Sequence, residues 1–262
     1  MKIYVENFFY QIVKYRIHIS CIFFFLLINN NLRVTKHVDY SLIFSLTFWH
    51  FSLFLFDRVY DREIDKLSQP NEYVKEKYSC FLYVVVFLLI ISSLISYLNS
   101  GYKIIYWIIL LPIVFLYPLR IFGDFRIKQI FLVKNLFSAL LIFCFPLILQ
   151  AILLSNGQVN YNNLIQPILS LFIYVMIGEV FWDIRDCSID KQFNIKTIPN
   201  TFGIKKTKIY ILSLIIIDSI LTQTFFSSSA IIYFVLITFI KENSNRLIFH
   251  FPPLIALFRF LI

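Results

Sequence analysis

The chain has 262 residues, 59% of them apolar and 15% charged, with a mean hydropathy of +0.77. A soluble domain is about 45–50% apolar and about 25% charged, so a soluble interior of this size cannot hide so much Phe, Ile and Leu, and a water-soluble globule is excluded. The net charge of +9 lies in short segments between apolar runs and not along one face, which excludes a nucleic-acid surface.

At the N-terminus Lys2, Lys14 and Arg16 precede an apolar run at 21–28. No small-residue cleavage site follows, so this reads as a retained first helix and not a signal peptide. A spanning helix needs roughly 20 mostly apolar residues. Such runs fall at 11–29, 40–57, 79–99, 103–121, 133–154, 163–183, 208–226, 228–241 and 246–262. The expected architecture is therefore all-α, a polytopic membrane protein of about nine transmembrane helices. The 31 Phe and 16 Tyr suit lipid contact and the headgroup belt. Cys21, Cys80 and Cys144 sit in apolar runs and Cys187 in an acidic cluster, without the spacing of a disulfide framework or a zinc site.

Basic residues orient the chain. With the N-terminus in the cytoplasm, 20 of the 24 Lys and Arg fall on the cytoplasmic side; Arg33, Lys36, Lys103 and Arg259 do not. The longer charged connections, 58–78, 122–132 and 184–207, then share that side.

Eight of the fifteen acidic residues gather in or beside two clusters. The first, after the second span, carries Asp57, Asp61, Glu63 and Asp65. The second, after the sixth span, carries Asp183, Asp186 and Asp190, with Glu179 one turn earlier. At about 100° per residue, each aspartate trio covers one helix face, roughly 80° wide in the first and roughly 60° in the second. Like charges at this spacing repel, and a bound cation removes the repulsion. Magnesium takes hard oxygen ligands, usually one or two carboxylates per ion, and completes its shell with water and phosphate oxygens. Two facing stripes with basic residues between them make a site for magnesium and a diphosphate. Asp61 and Asp186 are offset by 125 residues, as are Ile64-Asp65-Lys66 and Ile189-Asp190-Lys191, which points to two related four-helix units. A solvated cap at a helix end would explain one cluster; two trios on one membrane side argue for function.

At these residues the chain resembles the UbiA superfamily of intramembrane prenyltransferases, which carries NDxxDxxxD after its second helix and DxxDxxxD after its sixth. Asp183, Asp186 and Asp190 complete the second motif, and the run from Lys191 through Lys196, Thr197 and Pro199 to Gly203 resembles the stretch that follows it. The first motif departs: aligned on Asp61 and Asp65, Asp57 replaces the asparagine and Arg58 the aspartate after it. The Arg-Pro-rich segment usual after it is degenerate, reading Leu67-Ser68-Gln69-Pro70-Asn71-Glu72. The family's Tyr and Lys between helices four and five are matched by Tyr117 and Arg120, with Arg126, Lys128, Lys134 and Asn135 downstream.

The resemblance implies a single prenyltransferase domain over 1–262, with the helices around a central cavity. It implies two Mg2+ held by Asp57, Asp61, Asp65, Asp183, Asp186 and Asp190, with Asp61, Asp186 and Tyr117 as catalytic residues. Arg120, Lys128, Lys134, Asn135, Arg185, Lys191 and Lys196 would bind the substrate. The donor would be a polyprenyl diphosphate that ionises to an allylic carbocation, sheltered by aromatic π-faces, and the acceptor an aromatic or lipid molecule. No obligate protein partner is evident. Among isolated polar residues, His50 reads as helix packing or cavity lining, Glu179 as a ligand-orienting or helix-bridging group, and Asp218 as an intramembrane acid with no partner visible in the sequence. A cation-coupled transporter remains as an alternative, although transporters hold their charges near the midplane on broken helices. A catalytically altered member that only binds prenyl diphosphate is the other.

Overall fold

The computed structural model describes residues 10–68, 70, 73–122, 125, 126, 129–158, 161–222, 228–241, 244, 246–250 and 255. The chain divides into two compact units, Met1–Ile127 and Lys128–Ile262.

In the first unit α1 spans Ile17–Thr35 and α2 spans Tyr40–Tyr60, followed by the short α3, Arg62–Ser68. After a 3-10 turn at Glu76–Tyr78 come α4, Ser79–Asn99, and α5, Ile105–Leu116. A small antiparallel hairpin, β1 (Arg120–Phe122) with β2 (Phe125–Arg126), pairs Arg120 with Arg126. The expected first span, 11–29, is interrupted near its start: residues 10–14 are helical and α1 begins at Ile17. Arg16 takes the left-handed conformation at φ 58° and breaks the helix there. The expected fourth span, 103–121, is shortened to α5, which holds Pro112 and stops before Tyr117-Pro118. Pro118 has no N–H to continue the helical ladder.

Asp39 caps α2 by accepting the Leu42 N–H at 3.0 Å, satisfying one of the free amides at a helix start. The helix is enclosed along most of its length: Leu42, Ile43, Leu46, Trp49, Leu53 and Leu55 are buried, and α2 packs chiefly against α4. By contrast α4 leaves Phe81, Phe87, Leu88, Ile95 and Leu98 exposed, a side suited to lipid. Polar groups inside this unit satisfy one another, as hydrocarbon requires. Ser93 on α4 donates to the Ser45 C=O on α2 (2.8 Å) and accepts from Trp107 Nε1 on α5 (2.9 Å). Trp49 Nε1 donates to the Leu110 C=O at 2.9 Å. At the far end of α2, Leu55 and Val59 pack with Val74, Leu82 and Val86, a buried floor beside the first acidic cluster.

In the second unit α6 spans Val133–Leu154, α7 Tyr161–Gln192, α8 Ile198–Phe202, α9 Ile204–Thr222 and α10 Ser228–Phe239, followed by a 3-10 turn at Arg246–His250. Between Ser138 and Cys144, α6 widens to a π-helix in which the Phe145 N–H donates to the Leu140 C=O. Pro146, lacking an N–H, follows at once. The 32 residues of α7 reach roughly 48 Å, well beyond a hydrocarbon core of about 30 Å. Its last turns therefore carry their charges past the apolar layer. Helices α6, α8 and α9 pack against α7, and Trp182 on α7 donates to the Phe249 C=O at 2.7 Å. At the start of α8 the Thr197 N–H donates to Asn200 Oδ1 at 2.8 Å, and Gly203 ends the helix at φ 85°.

Among the described residues, five helices are long and apolar enough to cross a membrane: α1, α2, α4 with its preceding turn, α6 and α7. Ile105–Leu116 and Ala230–Phe239 are shorter apolar helices, and α9 has 19 residues with Lys205, Lys206 and Lys208 in its first turns. The expected ninth span, 246–262, lies mostly outside the described residues, as do 223–226 of the seventh. The described residues thus give a helical, multi-pass membrane protein, and they do not establish the count of nine spans.

Candidate functional site

The second acidic cluster lies on the last three turns of α7. The helix runs unbroken through Gln192, so the face-sharing expected of Asp183, Asp186 and Asp190 holds. Asp183 is fully buried. Lys134 Nζ donates to its Oδ1 at 2.7 Å and Asn135 Nδ2 to its Oδ2 at 2.9 Å. Both donors stand in the first turn of α6, 48 or more residues away in sequence. One turn before Asp183, Ser138 Oγ donates to Glu179 Oε1 at 2.6 Å. Glu179 thus bridges α7 to α6, one of the two roles expected of it.

Asp186 receives a two-pronged bond from its neighbour: Arg185 Nε donates to Oδ1 at 2.8 Å and Nη2 to Oδ2 at 2.6 Å. Asp190 differs. It is 5% exposed, and its Oδ2 is buried with no hydrogen-bond donor on it among the described residues. Lys134, Arg185, Asp183 and Asp186 all interact electrostatically with it. Lys191 and Lys196, expected to bind substrate, are exposed.

The first acidic cluster spans the junction of α2 and α3. Helical spacing survives the junction: the Asp61 N–H donates to the Asp57 C=O at 2.8 Å, and the Asp65 N–H to the Asp61 C=O at 2.9 Å. Asp61 and Asp65 are buried and Asp57 half-buried. Arg58, the departure from the motif, is 2% exposed and enters the cluster itself. Its Nη1 donates to Asp65 Oδ2 at 2.6 Å and its Nε to the Lys14 C=O at 3.0 Å. Neighbouring Arg62 reaches Ser79 Oγ at 2.8 Å and the exposed carboxylate of Glu76 at 3.4 Å.

Tyr117 is buried just past the end of α5. Lys128 and the side chains of Arg120 and Arg126 lie outside the described residues. His50 is buried against α1, stacked on Phe23 with ring centroids 4.0 Å apart and Nδ1 3.3 Å from Ser20 Oγ. That is helix packing. Asp218, whose partner the sequence did not show, accepts from Ser170 Oγ on α7.

Among the described residues no three His, Cys, Asp or Glu side chains converge into a ready-made metal site. The chain's own cations bond three of the six aspartates instead: Asp65, Asp183 and Asp186. The donor chemistry of the second cluster nonetheless fits magnesium: hard carboxylate oxygens on one face, one of them buried and bare. A buried carboxylate oxygen without a donor is costly, and a divalent ion relieves that cost.

No curated protein matches the chain significantly. Solved structures do, at low identity. A digeranylgeranylglyceryl phosphate synthase is 15% identical with a TM-score of 0.60, covering 98% of both chains. A UbiA homologue from Archaeoglobus fulgidus bound to DMAPP and Mg2+ is 14% identical with a TM-score of 0.61, covering 96% of this chain and 98% of its own. The same homologue bound to GPP and Mg2+ is 15% identical, again at 0.61, covering 96% and 99%. These likenesses establish the fold. The sequence profile described as the UbiA prenyltransferase family matches residues 19–241, and over that span, which includes both acidic clusters, the chain belongs to the UbiA prenyltransferase family.

Proposed function

We propose that this protein transfers a polyprenyl group, within the membrane, from a polyprenyl diphosphate to an aromatic or lipid acceptor, with magnesium as cofactor. The observation that carries this reading is the bare, buried Oδ2 of Asp190 on one helix face with Asp183 and Asp186. Support comes from family membership and from relatives of the same fold that bind DMAPP or GPP with Mg2+.

Asp183, Asp186 and Asp190 would hold the metal. Bound magnesium neutralises diphosphate charge and makes it a better leaving group. The chain's own residues do the rest. Asn135 and Lys134 fix the Asp183 carboxylate in one orientation. The Lys134 ammonium and the Arg185 guanidinium carry positive charge to the place where the departing diphosphate gathers negative charge. Lys191, Lys196, Arg120 and Lys128 are proposed to extend that basic surface, and Tyr117 to face the reacting allylic carbon. Loss of diphosphate breaks the allylic C–O bond and leaves a carbocation, which aromatic π-faces stabilise. The acceptor then forms the new bond and gives up a proton.

The whole of 1–262 would act as one catalytic domain, its N-terminus and site opening cytoplasmic, as 20 of its 24 basic residues favour. The decisive experiment incubates purified protein with labelled geranyl or geranylgeranyl diphosphate, a lipid extract and Mg2+. Diphosphate release and a labelled lipid product are expected, both abolished by chelation and by Asp186→Ala. Binding of the donor without release would reduce the protein to a diphosphate-binding member of the family. Ion transport without release would point to a transporter.

A further inference from the structure

The first acidic cluster carries a cation of its own. Arg58 is buried within the first acidic cluster, bonded through Nη1 to Asp65 and through Nε to the Lys14 carbonyl. A guanidinium cannot give up its proton in a protein, so this charge is permanent.

A divalent ion taken up by Asp65 Oδ2 would have to displace Arg58 Nη1 from its 2.6 Å bond. That would strand a buried guanidinium, and removing one partner of a buried pair is strongly unfavourable. The two clusters also differ in what they lack. Among the described residues the first has no buried carboxylate oxygen without a partner, whereas the second has Asp190 Oδ2.

We infer that Arg58 is a resident counter-cation that takes the place of a divalent ion at Asp57, Asp61 and Asp65, so that each chain holds one divalent ion with a diphosphate, at Asp183, Asp186 and Asp190. The inference rests on the functional reading above and replaces the two ions that the sequence resemblance implies. In it Arg58 is a positioning residue. It fixes Asp65 and sets the charge of its cluster without touching substrate.

Equilibrium dialysis of the full-length protein in detergent against Mn2+ and inorganic diphosphate reads the stoichiometry directly. One Mn2+ per chain is expected, falling to none in Asp190→Asn and unchanged in Asp61→Asn. Arg58→Asp, which restores an acid at this position, should raise the count to two, a gain that loss of a merely structural ion pair would not produce. If the Arg58→Asp protein does not fold, the wild-type, Asp61→Asn and Asp190→Asn counts decide the matter. Two ions in the wild type, one of them lost in Asp61→Asn, would overturn this inference and leave the proposed function standing. A folded Arg58→Asp protein that stays at one ion overturns the role given to Arg58. No Mn2+ bound with diphosphate in any of these proteins overturns both.

Discussion

Asp183 is fully enclosed, and the only charge of opposite sign bonded to it is the Lys134 ammonium at 2.7 Å among the contacts described. Breaking a buried pair from one side leaves an uncompensated charge and costs about 3 kcal/mol or more. Lys134→Met should therefore lower the thermal unfolding midpoint in detergent by several degrees, and diphosphate release should fall with it. An unchanged midpoint would show that the pair is not formed in the folded protein. Of this constellation the sequence showed the members and not the bonds. Lys134 and Asn135 were named from their place after the fourth span, but that both seize Asp183 depends on how α6 lies along α7. Asp218 is the same lesson from the other direction. A lone acid in an apolar run advertises a partner without identifying it, and Ser170, 48 positions away, is an unremarked serine until the helices pack.

Helices in this protein are joined by small polar groups rather than by apolar contact alone. Ser93 is fully buried and ties α4 to both α2 and α5. Ser93→Ala removes the acceptor of the Trp107 indole and strands that donor in an apolar setting, for a loss of about 1–3 kcal/mol. Its expected signature is a lower unfolding temperature together with a change in Trp fluorescence, and restoration of both by Ser93→Thr would support a hydrogen-bonding role. Helix existence was legible from apolar run length, and 79–99, 133–154 and 40–57 were placed within three residues of their observed ends. Two features were not legible. The left-handed break at Arg16 has no sequence signal, because arginine is an ordinary helix former. The π-segment of α6 is equally silent, apart from the hint of Pro146 just beyond it.

At the scale of the molecule, charge placement gives a topology that labelling can test. In a background without the native cysteines, Gln158→Cys should react with a membrane-impermeant maleimide in intact cells. Glu76→Cys and Gln192→Cys should react only after the membrane is permeabilised. All three positions are exposed at or beyond helix ends. The opposite labelling pattern would invert the orientation and place both acidic clusters outside.

Composition and the spacing of charges were enough to settle that this chain lives in a bilayer, that it is helical, and that two aspartate stripes recur 125 residues apart. Those properties follow from local periodicity and transfer energies, which each segment carries by itself. What each aspartate is bonded to depends on side chains brought from other helices, and no local pattern encodes such distances. The packing of α6 on α7 gave Asp183 its lysine and left Asp190 Oδ2 bare, and the junction of α2 and α3 turned Arg58 inward onto Asp65.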